Sequence, residues 1–460
     1  MKVNTQFNTL EEAMDSIKLN SIHILIILLV AIGSMFNGIE QYIAGYAAPY
    51  LVEQWGISDA QVGLLTTFTF GGMAVGSLIA GVIGDIFGRR ITFMYNLALF
   101  TLGAIVAALA PNIIILYMAR FVIGLGLGGE LNTGLTIVSE SVPTKNRGAS
   151  TATVSLSAGG VGIFLSAGLS YIILGPLSEF FGGETTAWRW LFGLLALPAL
   201  LLFLYRFYLP ETPRFLLSKG KINETNFVLS MFKSKTLIRR KVKTEEILKA
   251  TATVVPKEKV NFKEIFSQDL AKRTIGVWII AWMTFGAQVG ITVFLPTVLT
   301  SQGFTIVNSL LYSTIINLGG LTGAILATLF AHKFGRKTVL IWGSLVAVIV
   351  SILFGLSNTT LLILIFGAFM QAMFMLLNVT TWLFAPENYP TRIRSFGTGA
   401  AVFVSLVSAT VMPYIFGTVF SMWDTLGLYL VVAAMYVLLA IAALTLVVET
   451  KGKSLERIAS

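Results

Sequence analysis

Two stretches decide the fold: Glu140-Ser141-Val142-Pro143-Thr144-Lys145-Asn146-Arg147 and, 247 residues later, Glu387-Asn388-Tyr389-Pro390-Thr391-Arg392-Ile393-Arg394. Each carries Glu, Pro, Thr and Arg at matching places. The same offset relates Gly88-Arg89-Arg90 to Gly335-Arg336-Lys337. Unrelated chance matches would not share a register, so the chain reads as a tandem duplication. The motifs follow the second, fourth, eighth and tenth apolar stretches, which makes the repeating unit a bundle of six helices.

The composition agrees. With 55% hydrophobic and 12% charged residues, the chain has too much apolar surface for one water-soluble core. It holds many stretches of about 20 apolar residues, each long enough to span hydrocarbon. Twelve spans are expected, near 22–50, 60–83, 91–110, 112–139, 148–175, 187–209, 274–300, 306–331, 338–356, 360–385, 396–421 and 424–449. The fold class is therefore an all-α membrane protein of twelve transmembrane helices in two pseudo-symmetric six-helix bundles. Residues 1–21 form a lead-in, 22–209 the first bundle, 210–272 a central loop, 273–449 the second bundle and 450–460 a tail. Glycines within the spans suit close helix packing in lipid.

The net charge of +10 does not point to nucleic acid, because it is not spread over one face of a soluble domain. Lys and Arg gather in the N-terminal lead-in, the 2–3, 4–5, 6–7, 8–9 and 10–11 loops and the tail. The opposite loops carry Glu53, Asp59, Glu179, Glu184 and Asp424, with Arg189 as an exception. That bias puts both termini and the central loop in the cytoplasm of a cell-membrane protein. The first span carries Glu40 and lacks a cleavage site, so it reads as a retained helix. Within 210–272, charged and apolar residues alternate, as in short helices lying on the membrane face; a solvated linker fits as well. The absence of cysteine excludes disulfides and thiolate chemistry. Neither a nucleotide-binding motif nor a nucleophile–base set is present, and no enzyme, cofactor or metal is expected.

Gly81-x-x-x-Asp85-x-x-Gly88-Arg89-Arg90 has a mechanical logic. Gly88 permits a tight turn, and Asp85 reaches Arg89 four residues on. With Glu140, Arg147, Arg214, Arg336, Glu387 and Arg394, these residues would form a ring of opposite charges on the cytoplasmic side. Such a ring could latch the halves in one conformation and release in another. Orientation charges with incidental pairing are the alternative.

On these motifs the chain resembles the major facilitator superfamily over nearly its whole length. Pro210-Glu211-Thr212-Pro213-Arg214, Glu449-Thr450-Lys451-Gly452 and Trp188-Arg189-Trp190 are similar to its sugar-porter branch. In the second copy His332 stands where the acid would be, which implies a weaker latch. Gly286-Ala287 precedes Gln288 where sugar porters carry paired glutamines, and Asn378-Val379 replaces their Gly-Pro, although Trp382 remains. Gly290-Ile-Thr-Val-Phe-Leu-Pro296 and Gly124-Leu-Gly-Leu-Gly-Gly-Glu130 instead resemble metabolite:proton symporters of aromatic and other organic acids.

Three ionisable residues lie deep in the spans: Glu40, Arg120 and Glu130. An unpaired charge at the bilayer centre is costly, so each is a functional candidate. Glu40 lies about nine residues before the outer end of span 1, and Arg120 about seven past that of span 4. A rise of 1.5 Å per residue puts them at similar depth. The resemblance implies an acid–arginine proton-coupling pair there, with Glu in place of the usual Asp. A static pair holding two helices is the alternative. Glu130, about 15 Å further toward the cytoplasm, is either a second protonation site, a polar contact for solute, or a neutral group bonded to a neighbouring helix.

The candidate solute lining is neutral: Gln41 in span 1, Gln288 and Thr292 in span 7, Tyr312 and Asn317 in span 8, Gln371, Asn378 and Trp382 in span 10. Helix–helix hydrogen bonds are the alternative use of each. The expected activity is proton-coupled symport of a small organic solute by alternating access, an organic acid before a sugar. Expected partners are that solute, protons and the lipid bilayer, with the chain monomeric. A facilitative uniporter, a proton-driven exporter and a carrier-fold sensor are the rivals.

Overall fold

The computed structural model describes residues 6–183, 185–236, 242–249, 262–390 and 392–449. Glu184, residues 450–452 and the side chain of His332 lie outside the described residues, so those expectations have no structural counterpart here.

Among the described residues, 11 helices are long and apolar enough to cross a membrane. The last, Phe396–Thr445, has 50 residues, long enough for two crossings. Its backbone leaves the helical region at Asp424, with φ 53° and ψ −161°, and this reverses the chain without a loop. Twelve crossings result, as the hydropathy implied. The first six are Ser21–Trp55, Asp59–Phe87, Arg89–Ala108, Ile113–Ser141, Thr144–Leu174 and Ala187–Tyr208. The seventh to tenth are Gln268–Ser301, Ile306–Phe334, Arg336–Gly355 and Thr360–Phe384.

The duplication is visible helix by helix. Spans 2 and 3 begin and end 247 residues before spans 8 and 9. Pro49 and Pro296, inside spans 1 and 7, share that offset. Each proline removes one helical hydrogen bond at the same level of its bundle. Packing repeats too: a Cβ on Gly72 or Gly76 would strike the Phe121 and Leu125 carbonyls, and one on Gly319 or Gly323 those of Ala368 and Ala372. Small residues there let spans 2 and 4, and spans 8 and 10, approach backbone to backbone. Gly124 and Gly128 serve the same contact from span 4.

Span 5 contains a π-helical turn at Ser157–Gly162, packed on Gly38 of span 1; Ser157 donates to the Ala31 carbonyl at 2.8 Å. π turns are rare and concentrate at functional sites. The out-of-place Arg189 has a structural use. It donates to the Ala110 carbonyl at 2.6 Å, at the end of span 3, and its guanidinium lies 4.3 Å from the Trp188 ring. A cation at a helix C-terminus is favourable, and this outweighs the orientation bias.

The halves meet along spans 2 and 11, 5 and 8, and 1 and 7. Their contact fades along span 2. A Cβ on Gly63 would lie 2.4 Å from the Pro413 carbonyl oxygen, Thr67 donates to the Thr410 carbonyl at 2.6 Å, and a Cβ on Gly71 meets only Thr410 at 3.5 Å. Gly81, 18 residues beyond Gly63, is on the same face because five turns separate them; nothing lies within 4 Å of its Cβ position. The bundles therefore touch at the face opposite the charge motifs and splay where those motifs stand.

Candidate transport site

Span 1 is capped by Asn20 in a capping box with His23 and ends at Gly56, whose φ is 62°. Between these stops, Glu40 and Arg120 are both completely buried. One Arg120 amine donates to Glu40 Oε1, and the other reaches the Glu40 backbone oxygen at 3.4 Å. The guanidinium lies 5.7 Å from the Phe192 ring of span 6. Glu40 Oε2 and Arg120 Nε have no hydrogen-bond partner. The pair therefore satisfies its charge without satisfying its full bonding capacity.

A second buried cluster lies deeper in the first bundle. Glu130 Oε2 accepts from Asn37 Nδ2 at 2.9 Å, and the other Asn37 amide hydrogen goes to the Leu127 carbonyl at 3.0 Å. Asn37 Oδ1 accepts from Gln41 Nε2 at 2.7 Å. The Tyr205 hydroxyl donates to the Leu29 carbonyl at 2.8 Å. Glu130 has no ion-pair partner among the described residues, and its Oε1 has no hydrogen-bond partner. Thus Gln41, Asn37 and Glu130 form one line, running from a half-buried amide to a buried carboxyl. Asn37 and Tyr205 were not among the sequence candidates. Asn37 carried a readable signal, a polar side chain one turn before Gln41; Tyr205 looks like any aromatic in an apolar span.

In the second bundle Asn317 donates to the Tyr46 hydroxyl at 2.8 Å and accepts from Gln371 Nε2 at 2.9 Å. This buried chain joins span 1 to spans 8 and 10 across the halves. Tyr46 was also missed, since its role depends on a residue 271 positions away. Gln288 Oε1 and Asn378 Nδ2 are buried without partners. Thr292 spends its hydroxyl on the Gln288 carbonyl at 2.8 Å. Tyr312 sits near the start of span 8, edge-on to Phe304 at 5.2 Å, apart from the Asn317–Gln371 chain. Trp382 is half-buried.

On the charge-bearing face Asp85 and Arg89 pair as their four-residue spacing suggests, whereas Glu140 and Glu387 pair with residues outside their own motifs. Arg89 lies 3.1 Å from Asp85 and 3.5 Å from Glu140. Arg336 lies 3.0 Å from Glu387, so the Arg89–Glu140 pair recurs at the common offset. Each pair ties the 2–3 or 8–9 turn to the end of span 4 or 10 of its own half. Glu140 thus pairs with Arg89 and accepts from Thr212 at 2.7 Å, while Arg147 has no ion-pair partner among the described residues. Arg214 reaches Glu11 of the lead-in at 3.7 Å. Arg90 donates to the Arg206 carbonyl. The Arg394 Nε is buried.

Gly88 and Gly335 adopt φ values of 101° and 95°, which favour glycine. A carboxylate sits over each turn: Glu211 accepts from the Arg89 N–H at 3.0 Å, and Glu449 from the Thr338 N–H at 3.2 Å. An anion at a helix N-terminus satisfies free N–H groups and the dipole together. Burial pushes the Glu211 carboxyl above the ordinary range, against the pull of the Thr212, Arg90 and Arg89 N–H groups.

Residues 3–460 match the family model described as sugar (and other) transporter. The chain belongs to that family. As a member of the sugar (and other) transporter family, and so of the major facilitator superfamily, it is a multi-pass membrane transporter of sugar or metabolite type. It is 28% identical over 451 residues to the niacin transporter NiaP of Acinetobacter baylyi, covering 97% of this chain and 98% of the relative. It is 26% identical over 453 residues to the arabinose-proton symporter of Bacillus subtilis, covering 95% and 94%. Its fold is that of the E. coli xylose transporter XylE in a partially occluded inward-open conformation. That likeness has TM-score 0.76 and 21% identity and covers 95% of this transporter and 100% of XylE. The fully inward-open form gives TM-score 0.72.

Proposed function

We propose that this transporter is a proton-coupled symporter of a small organic solute, an organic acid before a sugar, working by alternating access. It would sit in the cell membrane with both termini and the charge motifs on the cytoplasmic side. The observation that carries the reading is the sealed Glu40–Arg120 pair. Removing one partner of a buried pair leaves an uncompensated charge, at a cost of about 3–5 kcal/mol. Protonating Glu40 alone incurs that cost, because Arg120 loses its countercharge. Admitting a carboxylate alone places two anions beside one guanidinium. Proton and anion together avoid both penalties: neutral Glu40 releases Arg120, and the solute carboxylate replaces it. Strict coupling follows from electrostatics at one pair.

The niacin relative supports an organic acid as cargo, and the arabinose–proton relative supports proton coupling. The Gln41–Asn37–Glu130 line is the candidate second proton site, and Gln288, Asn317, Gln371, Asn378 and Trp382 are the candidate solute contacts. Splaying at the charge-bearing face corresponds to a cytoplasm-facing state, in which Arg89–Glu140 and Arg336–Glu387 brace each half for rigid-body motion.

The test is flux in proteoliposomes, with nicotinate and D-xylose as probes. Glu40→Gln should abolish accumulation driven by a pH gradient while counterflow of the same solute persists. Undiminished gradient-driven accumulation in the variant would remove Glu40 from the coupling step.

A further inference from the structure

The charge-bearing face carries a groove outside the transport path. The N-terminal arm crosses this face and is fastened to it at several points. Phe7 pairs with the chain at Ile247–Lys249, its N–H to the Ile247 oxygen at 2.8 Å and its oxygen from the Lys249 N–H at 3.1 Å. Asp15 accepts from the Thr144 N–H at 2.7 Å, at the start of span 5. Asn20 Nδ2 donates to the Phe232 carbonyl at 2.8 Å. Between arm and loop opens a cavity of about 260 Å³, lined by Phe7, Ser16, Ile17, Lys18, Asn20, Lys233, Lys235 and Ile247.

Two parts of the lining matter. Three lysines from segments more than 200 positions apart in sequence face one cavity and no carboxylate is in its lining; nearby, Glu245 lies 2.5 Å from Lys233 and Glu246 accepts from Gln6 Nε2 at 3.1 Å. Lys235 holds φ 55°, a left-handed conformation that is uncommon for a residue with a side chain. It sits at the end of the helix Ile222–Ser234. The other part is apolar: Phe7, Ile17 and Ile247 form a floor beside the cations. Asn20 caps span 1, so the groove lies at the end of a membrane-crossing helix, on the side where bilayer and water meet.

We infer that this groove binds a phosphate-bearing amphiphilic anion, with Lys18, Lys233 and Lys235 holding the phosphate and the Phe7–Ile17–Ile247 floor its organic part. Lys233 is half-compensated by Glu245, so Lys18 and Lys235 supply the excess charge. The ligand is either an anionic lipid headgroup or a soluble phosphate ester, since the groove opens at the boundary between them. Occupancy would clamp the arm to the central loop and, through Asp15 and Asn20, brace the starts of spans 5 and 1. The inference is independent of the proton-coupled reading.

Binding to the full-length purified protein is measured with three probes: phosphatidylglycerol, phosphatidylcholine and inorganic phosphate. Native mass spectrometry counts bound lipid, and titration calorimetry follows phosphate. Phosphatidylglycerol binding well above phosphatidylcholine binding identifies the lipid source. Phosphate binding in detergent without added lipid identifies the soluble source. In either case Lys18→Gln and Lys235→Gln should each weaken binding roughly fivefold, the worth of one cation near an anionic surface. Lys219→Gln, on the same face but outside the lining, should leave it unchanged. Neither probe bound, or binding equal in native protein and the Lys18→Gln/Lys235→Gln double variant, overturns the assignment. Thermal unfolding of each variant keeps loss of fold apart from loss of site.

Discussion

Gly63→Ala should tip this transporter toward its other conformation, and the size of the shift can be worked from the interface. The new methyl would sit 2.4 Å from the Pro413 carbonyl oxygen and 2.9 Å from its carbon. Ordinary contact begins at 3.4 Å, so spans 2 and 11 must part by about 1 Å. Overpacking of this kind costs about 1–3 kcal/mol, and the backbone on the far side has no side chain to swing away. The cost falls only on the state closed at this face, so the population ratio moves roughly 5- to 150-fold. The chain contains no cysteine, which makes one reporter clean: Thr410→Cys, whose backbone carbonyl still accepts from Thr67. Labelling by a membrane-impermeant thiol reagent should accelerate in Gly63→Ala. Gly81→Leu, on the same helical face but beside open space, should do the reverse, because its side chain obstructs closure at the charged face. Labelling of Gly63→Ala at the parental rate, or faster labelling of Gly81→Leu, would refute the two-state interface drawn here.

Other expectations concern single contacts. Asn37→Leu should lower thermal stability by about 1–3 kcal/mol, since the Glu130 carboxyl and Leu127 carbonyl lose their donor in a buried setting; unchanged unfolding would show water replacing it. Tyr46→Phe removes the acceptor of Asn317 and should weaken solute binding or the contact between the halves, read as a changed solute-induced thermal shift. A double-mutant cycle on Arg336→Gln and Glu387→Gln should give a coupling of roughly 0.5–3 kcal/mol in unfolding, and additive losses would show the pair to be incidental. For Glu211 the sign follows from burial: the folded protein holds its proton more tightly than the unfolded chain. This residue's contribution to stability is therefore greatest at low pH and is lost as pH rises from the ordinary carboxylate value through the raised folded one. The stability gap between native protein and Glu211→Gln should move in the variant's favour over that window. A flat difference would contradict it.

Fold and topology were legible because their determinants are local or periodic. Apolar runs of membrane length, glycine turns at Gly88 and Gly335, and a repeat with a fixed register all survive in one dimension. Glu40 and Arg120 could be matched because helical rise converts position into depth, and both charges stood out against an apolar background. Partner choice among many candidates was not legible. Glu140 stands seven residues before its own motif arginine, Arg147, but bonds Arg89, because the 2–3 turn and the end of span 4 meet only after the bundle packs. Tyr46 and Tyr205 were hidden because a hydroxyl in a span has no signature until a partner helix faces it. The sequence on its own determined the number of crossings, their pairing by duplication, and which charges lie in the membrane. Tertiary structure alone decided which side the halves close on and which polar groups join across them. Those outcomes depend on contacts between helices hundreds of residues apart, where a fraction of an ångström separates a hydrogen bond from a clash.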